Sequence, residues 1–185
     1  IEDFIRERSG PDYSILATDL STDVLRVAKR GIFSSAMIEP VDKERRKRYV
    51  MEPRDAGRNE VRIHPQLRSK VGFARLNLMD ASYNVGEAMH VIFCRNVLIY
   101  FDPETRHALW RRIAGRLVEE GRLFLGHSER MDSRLDPLFA PCGVTQYRRT
   151  GIAAPPDPGQ ILPGNLAVAA PPSATRTTPC PFAIP

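Results

Sequence analysis

The 185-residue sequence predicts an α/β domain built on a parallel sheet, and three observations predict it. Short apolar runs alternate with amphipathic helical segments, cap and turn residues separate the two, and a polar group follows each run. That alternation is the signature of parallel strands covered on both faces by helices.

The elements follow in order. "YSILATD" (13–19) is an apolar run ending in an acid, a first strand. "STDVLRVAKRG" (21–31) is a helix: Ser21 stands as N-cap, Asp23 in the first turn, Val24, Leu25 and Ala28 share a face, and Gly31 stops it. "VDKERRKRYV" (41–50) is a charged helical segment, and "EVRIHPQLRSKVGFARLNL" (60–78) reads as short strands with Pro65 in the turn. "HVIFC" (90–94) is a strand. In "DPETRHALWRRIAGRLVEEG" (102–121) Asp102 is the N-cap, Pro103 the first helical position and Gly121 the stop. "RLFLG" (122–126) and "VTQYRR" (144–149) are the last strands. No internal repeat is visible. From Gly151 on, nine of the 16 prolines and only two charged residues, Asp157 and Arg176, describe an extended tail or linker over 151–185.

Composition narrows the class. Hydrophobic content of 42% supports a core over residues 1–150, and the net charge of +5 leaves nucleic acid, an anionic membrane or an acidic protein partner open. No apolar run has the roughly 18 residues of a membrane span, and the start, with acids and arginines and no apolar core, is unlike a signal peptide. Cys94, Cys142 and Cys180 are scattered and odd in number, as in a reducing cytoplasm. Neither they nor His64, His90, His107 and His127 have metal-ligand spacing. The chain begins without methionine, which suggests a fragment.

Ligands of open parallel sheets bind beyond the carboxyl ends of the strands. There the sequence places Asp19, Asn77, the pair Arg95–Asn96, and His127, Ser128 and Glu129. This gives the interruption in "HVIFCRNVLIYFD" a reason, because a charge and an amide at a strand exit need not be buried. Asp19 either accepts ribose hydroxyls of a nucleotide-like ligand or caps the helix begun at Ser21. Asn77 either frames a base with Leu78 or is a turn residue. Tyr100 points to the cleft or to the core, and His127 is a base or a structural residue. The glycine-rich phosphate loops are absent.

Taken together, "ATDLSTDVLRVAKRGIF", "RLNLMD", "IFCRNVLIYFD" and "LFLGHSE" resemble the CheR family of chemotaxis-receptor methyltransferases. The resemblance runs from about Ile15 to Arg149. It implies a Rossmann-like class I methyltransferase sheet, incomplete at the N-terminus, with a small inserted antiparallel β-subdomain at 54–72. It also implies S-adenosyl-L-methionine as cofactor and methylation of receptor glutamates as the reaction. In that family the residue matching Asp19 contacts the ribose hydroxyls, those matching Asn77, Leu78, Arg95 and Asn96 line the cofactor site, and the tyrosine matching Tyr100 stands near the transferred methyl. Arg95 shapes the reaction geometry with Tyr100, or binds a carboxylate of acceptor or cofactor. Implied too is a monomer acting in the cytoplasm on the cytoplasmic domain of methyl-accepting receptors, without nucleic acid or membrane insertion. A helical N-terminal domain, the first strand and a donor loop of G-E-E-P-Y-S type precede these motifs in the family and are missing here. The 13 Lys+Arg against six Asp+Glu over 29–75 form either a receptor-facing basic surface or a solvated face.

Overall fold

The computed structural model describes residues 1–55, 57–86, 88–131 and 137–153. The Pro-rich segment expected over 151–185 therefore lies, from residue 154 on, outside the described residues. Two compact units form, one from Ile1–Asn77 and one from Leu78 onward. Both are mixed α/β.

The first unit opens with α1 (Glu2–Arg8), which buries none of its residues, so no apolar periodicity announces it. Polar contacts hold it instead. Asp3 accepts from the Tyr49 hydroxyl at 2.6 Å, Arg48 Nη1 at 2.6 Å and Arg45 Nε at 3.2 Å. Glu2 accepts from the Tyr13 hydroxyl at 2.9 Å and from Gln66 Nε2 at 2.6 Å. The Tyr49 hydroxyl, against some opposing desolvation, and then the two arginines hold the Asp3 carboxyl at about 2. Because that value is depressed, the stabilisation is complete above the ordinary value of about 3.9 and fades as pH falls through about 2. The gap in urea midpoint between wild type and Asp3→Asn is accordingly expected to be full at neutral pH and to close as the solution is acidified through that window.

After α1 comes β1 (Ile15–Asp19), then α2 (Thr22–Arg30). The Ser21 side chain accepts from Val24 N–H, and Gly31 ends α2 in the left-handed region at φ 62°, as the cap residues predict. β2 (Ile32–Ser34), α3 (Lys43–Tyr49), β3 (Val50–Met51), β4 (Glu60–Ile63), the one-turn α4 (Pro65–Arg68) and β5 (Val71–Arg75) complete the unit. Pro65 is thus the first residue of a helical turn, with His64 Nδ1 accepting the Gln66 N–H as its cap.

β1 and β5 run parallel, in register from Ile15 opposite Val71 to Asp19 opposite Arg75. A separate antiparallel sheet has the order β2-β4-β3. It draws on residues 32 to 63, so of the range 54–72 only β4 contributes a strand to it. β5 begins at Val71 and belongs to the parallel pair.

The second unit carries β6 (Met89–Cys94), α5 (Pro103–Ala114), β7 (Leu117–Leu125), β8 (Phe139–Gly143) and β9 (Gln146–Arg149) in one sheet of order β6-β7-β9-β8. β6 and β7 are parallel; β7–β9 and β9–β8 are antiparallel. The all-parallel expectation therefore holds for β1–β5 and β6–β7 and fails at the far edge. There β8 and β9 fold back as a hairpin, which Pro141 and Gly143 obscure in the sequence. The core contains Leu98, Leu109, Trp110, Ile113, Ala114, Leu123, Leu125 and Phe139, each at most 4% exposed.

Asp102 caps α5 through Thr105 N–H and Pro103 is its first residue. Its end is a correction: Gly115, not Gly121, is the C-cap. "LVEE" joins β7 instead, where Leu117, Gly121, Leu123 and Leu125 are buried. Glu120 takes φ 65° and the β6–β7 register shifts between Met89 and Val91. Gly121 sits in that irregularity because a Cβ there would lie 2.8 Å from Val118 O and 3.2 Å from His90 O.

Candidate functional site

In the first unit the carboxyl end of the β1–β5 pair brings two of the expected residues together. Asp19 is exposed at the end of β1, and its carbonyl accepts the Leu76 N–H at 3.0 Å. Its carboxylate Oδ1 accepts the Ser21 N–H at 2.8 Å, while among the described residues Oδ2 accepts nothing. The capping role thus accounts for one oxygen and orients the other. Asn77 follows β5 by two residues, half-buried, on the same edge.

In the second unit the carboxyl ends of β6 and β7 lie side by side, Cys94 opposite Leu125. Arg95 and Asn96 leave β6 exposed, and no partner of the Arg95 guanidinium stands among the described residues. Asn96 adopts φ 57°, a left-handed conformation that asparagine tolerates better than most residues. Leu98–Tyr100 form a single 3₁₀ turn that buries Leu98 and leaves Tyr100 81% exposed, so Tyr100 is not a core residue. Leu78 belongs to this unit as well. Its carbonyl accepts from the Tyr83 hydroxyl at 2.8 Å and Arg112 Nη1 at 3.3 Å, and burial pushes Tyr83 up to about 12.

What ties the two strand exits together is Glu129, which the sequence shows only as one polar group among several. Its side chain is 5% exposed. Oε1 accepts the N–H groups of Val97 (3.0 Å) and Leu98 (2.9 Å); Oε2 accepts those of Asn96 (2.8 Å) and Gly126 (2.7 Å). Desolvation opposes the charge, but the donors from Gly126, Asn96, Leu98 and Val97 outweigh it, and the carboxyl lies below its usual range. The signal was there in "LFLGHSE": an acid so close to a buried strand end must find donors or leave the core. Next to it, Cys94 is a neutral thiol, pushed up to about 12 by burial and then by the Glu129 charge. His127 is exposed, and among the described residues only its carbonyl is engaged, by Arg130. Among the described residues no cluster of His, Cys, Asp and Glu could hold a metal ion, and no helix is long and apolar enough to cross a membrane.

Parallel strand pairs with polar groups at their carboxyl ends define a ligand-binding α/β protein. Comparison with known proteins gives the family: the model described as "CheR methyltransferase, SAM binding domain" matches residues 1–148, and the chain belongs to that family. A probable chemotaxis protein methyltransferase of Rhizobium etli is 37% identical over 139 residues, 75% of this chain and 52% of its own length. Chemotaxis protein methyltransferase 1 of Pseudomonas aeruginosa is 42% identical over 123 residues, covering 66% and 43%. The chemotaxis protein methyltransferase of Escherichia coli is 36% identical over 135 residues, covering 73% and 47%. The chain spans about half the length of the curated relatives it matches.

S-adenosylmethionine suits the groups present. Asp19 offers an oriented carboxylate oxygen to a diol. Arg95 offers a carboxylate a fork of donors that has no partner among the described residues.

Proposed function

We propose that this chain is the donor-binding part of a cytoplasmic protein-glutamate O-methyltransferase acting on chemotaxis receptors. The observation that carries the proposal is the family match over residues 1–148. The relatives' names supply the reaction and the receptor context. In this reading Asp19, Asn77, Leu78, Arg95 and Asn96 serve the cofactor, and Tyr100 and Arg95 serve the transfer.

Bound S-adenosylmethionine supplies a methyl carbon activated by its sulfonium. The acceptor glutamate is ionised at neutral pH, so the protein needs no strong general base. The residues' task is placement and exclusion of water. The Tyr100 ring, which projects from its turn, is suited to wall the acceptor path. Arg95 is free to take a carboxylate in its guanidinium fork.

The inserted β-subdomain is assigned to the antiparallel β2-β4-β3 sheet. Its neighbourhood supplies the basic surface for an acidic receptor, though less of it than the charge count suggests: Arg45 and Arg48 of "KERRKR" are committed to Asp3. Lys43 and Lys47 remain exposed.

The test is transfer of labelled methyl groups to purified receptor cytoplasmic domain, with calorimetric titration of S-adenosylhomocysteine, by this chain and by a form extended at its N-terminus. Binding and transfer by either form support the proposal. Binding without transfer makes the chain a docking paralogue, and no binding by either form rejects the cofactor assignment.

A further inference from the structure

Apart from Glu129 no charged side chain is buried among the described residues, and its four hydrogen bonds all go to backbone. Three of the donors are consecutive, Asn96, Val97 and Leu98. Consecutive N–H groups turn toward one anion only where the backbone curls, and the left-handed Asn96 supplies that curl. The carboxylate then caps the turn behind it, in which Tyr100 N–H donates to Val97 O (3.4 Å) and Phe101 N–H to Leu98 O (3.2 Å). The fourth donor, Gly126, fastens this segment to the exit of β7.

We propose that Glu129 is a positioning residue of the methyl-transfer site, setting the backbone of 95–100 that presents Arg95, Asn96 and Tyr100. The inference rests on the role given to those three residues above. Glu129 itself is buried and its hydrogen bonds go only to backbone, so it acts through the segment.

No near relative of the side chain can replace it. All four acceptor positions of the carboxylate are used. Glutamine would turn an NH₂ toward two of the N–H groups. Aspartate keeps the charge but retracts it by one methylene.

The experiment compares wild type, Glu129→Gln and Glu129→Asp of the 185-residue chain by hydrogen exchange, resolved for the segment 95–101 and for α5. The expected result is exchange of 95–101 about tenfold faster or more in Glu129→Gln, with Glu129→Asp between, while α5 keeps its protection. Unchanged exchange in 95–101 overturns the proposal. Equal loss of protection in both regions of both variants also overturns it, since Glu129 would then be holding the fold as a whole.

A second arm titrates S-adenosylhomocysteine into the same proteins. Affinity is expected to fall about ten- to a hundredfold in the order wild type, aspartate, glutamine, since small misplacements of binding groups have effects of that size. Faster exchange at 95–101 with unchanged affinity would separate Glu129 from the site and overturn the proposal. If neither the wild-type chain nor its N-terminally extended form binds, the donor-site reading itself is rejected, whereas the exchange arm still decides whether Glu129 sets the segment.

Discussion

Gly126→Ala is expected to destabilise the second unit by about 3–5 kcal/mol, enough to unfold much of the population in a domain of ordinary stability. The reason is steric. A Cβ at this position would lie 2.0 Å from Asn96 Oδ1, 2.8 Å from Glu129 Oε2 and 2.9 Å from Asn96 N. The amide oxygen can swing aside, since Asn96 is exposed. The other two cannot, because the Asn96 N–H and the Glu129 carboxylate are bonded to each other at 2.8 Å. Room for the methyl therefore comes only from parting the strand exits, which strands backbone donors now satisfied by Glu129; each such orphan costs about 1–3 kcal/mol. Urea denaturation followed by Trp110 fluorescence reads this out directly, Trp110 being 2% exposed in the same unit. Gly115→Ala is the control: the nearest atoms to its Cβ would be 3.5 and 3.7 Å away at an ordinary helical φ of −67°, so a midpoint at or slightly above wild type is expected. If Gly126→Ala leaves the unfolding free energy within about 1 kcal/mol of wild type as well, about the smallest overpacking penalty, the close packing at Gly126 is wrong.

The contrast between those two glycines explains what the sequence could and could not reveal. Ser21, Gly31, Asp102 and Pro103 were legible because a cap acts on its own turn, within a few residues of the chain. Asp19 was legible as the acid after a short apolar run. Gly121 was misread for the same local reason. A glycine after a helical pattern looks like a stop, whereas a Cβ here would meet Val118 O at 2.8 Å and, on a neighbouring strand, His90 O at 3.2 Å. Helix α1 was invisible because it is held by Asp3 and Glu2 reaching residues as distant as Gln66, and it buries nothing. Glu129 acts across 31 to 33 positions on Asn96, Val97 and Leu98, and Gly126 across 30 on Asn96. Nothing within "LFLGHSE" or "CRNVLIYF" taken singly says that the two meet. Charge counting missed this in the same way: the surplus over 29–75 is real, but Asp3, from outside that range, offsets one charge of the Arg45–Arg48 pair.

Asp19→Ala is expected to weaken S-adenosylhomocysteine binding by at least about a hundredfold, since hydrogen bonds to a charged acceptor contribute about 1.5–3 kcal/mol each and a diol makes two. Alanine alone cannot say why, because it also removes the acceptor of the Ser21 N–H and loosens the entry to α2. Asp19→Asn divides the two roles. The Ser21 N–H, 2.8 Å from Oδ1, demands an oxygen there, so the asparagine amide is set with its NH₂ where Oδ2 stood. The turn into α2 is then kept, while the charge and the outward acceptor are lost. If Asp19 serves the ligand, Asp19→Asn melts like wild type and binds at least about tenfold more weakly, the loss of one charge-assisted bond. If Asp19 serves only the turn, Asp19→Asn binds like wild type and Asp19→Ala alone is impaired. Calorimetry and thermal melts on the two variants side by side therefore test the ribose assignment without relying on methyl transfer, and they do so at a residue whose second oxygen has no structural use among the described residues.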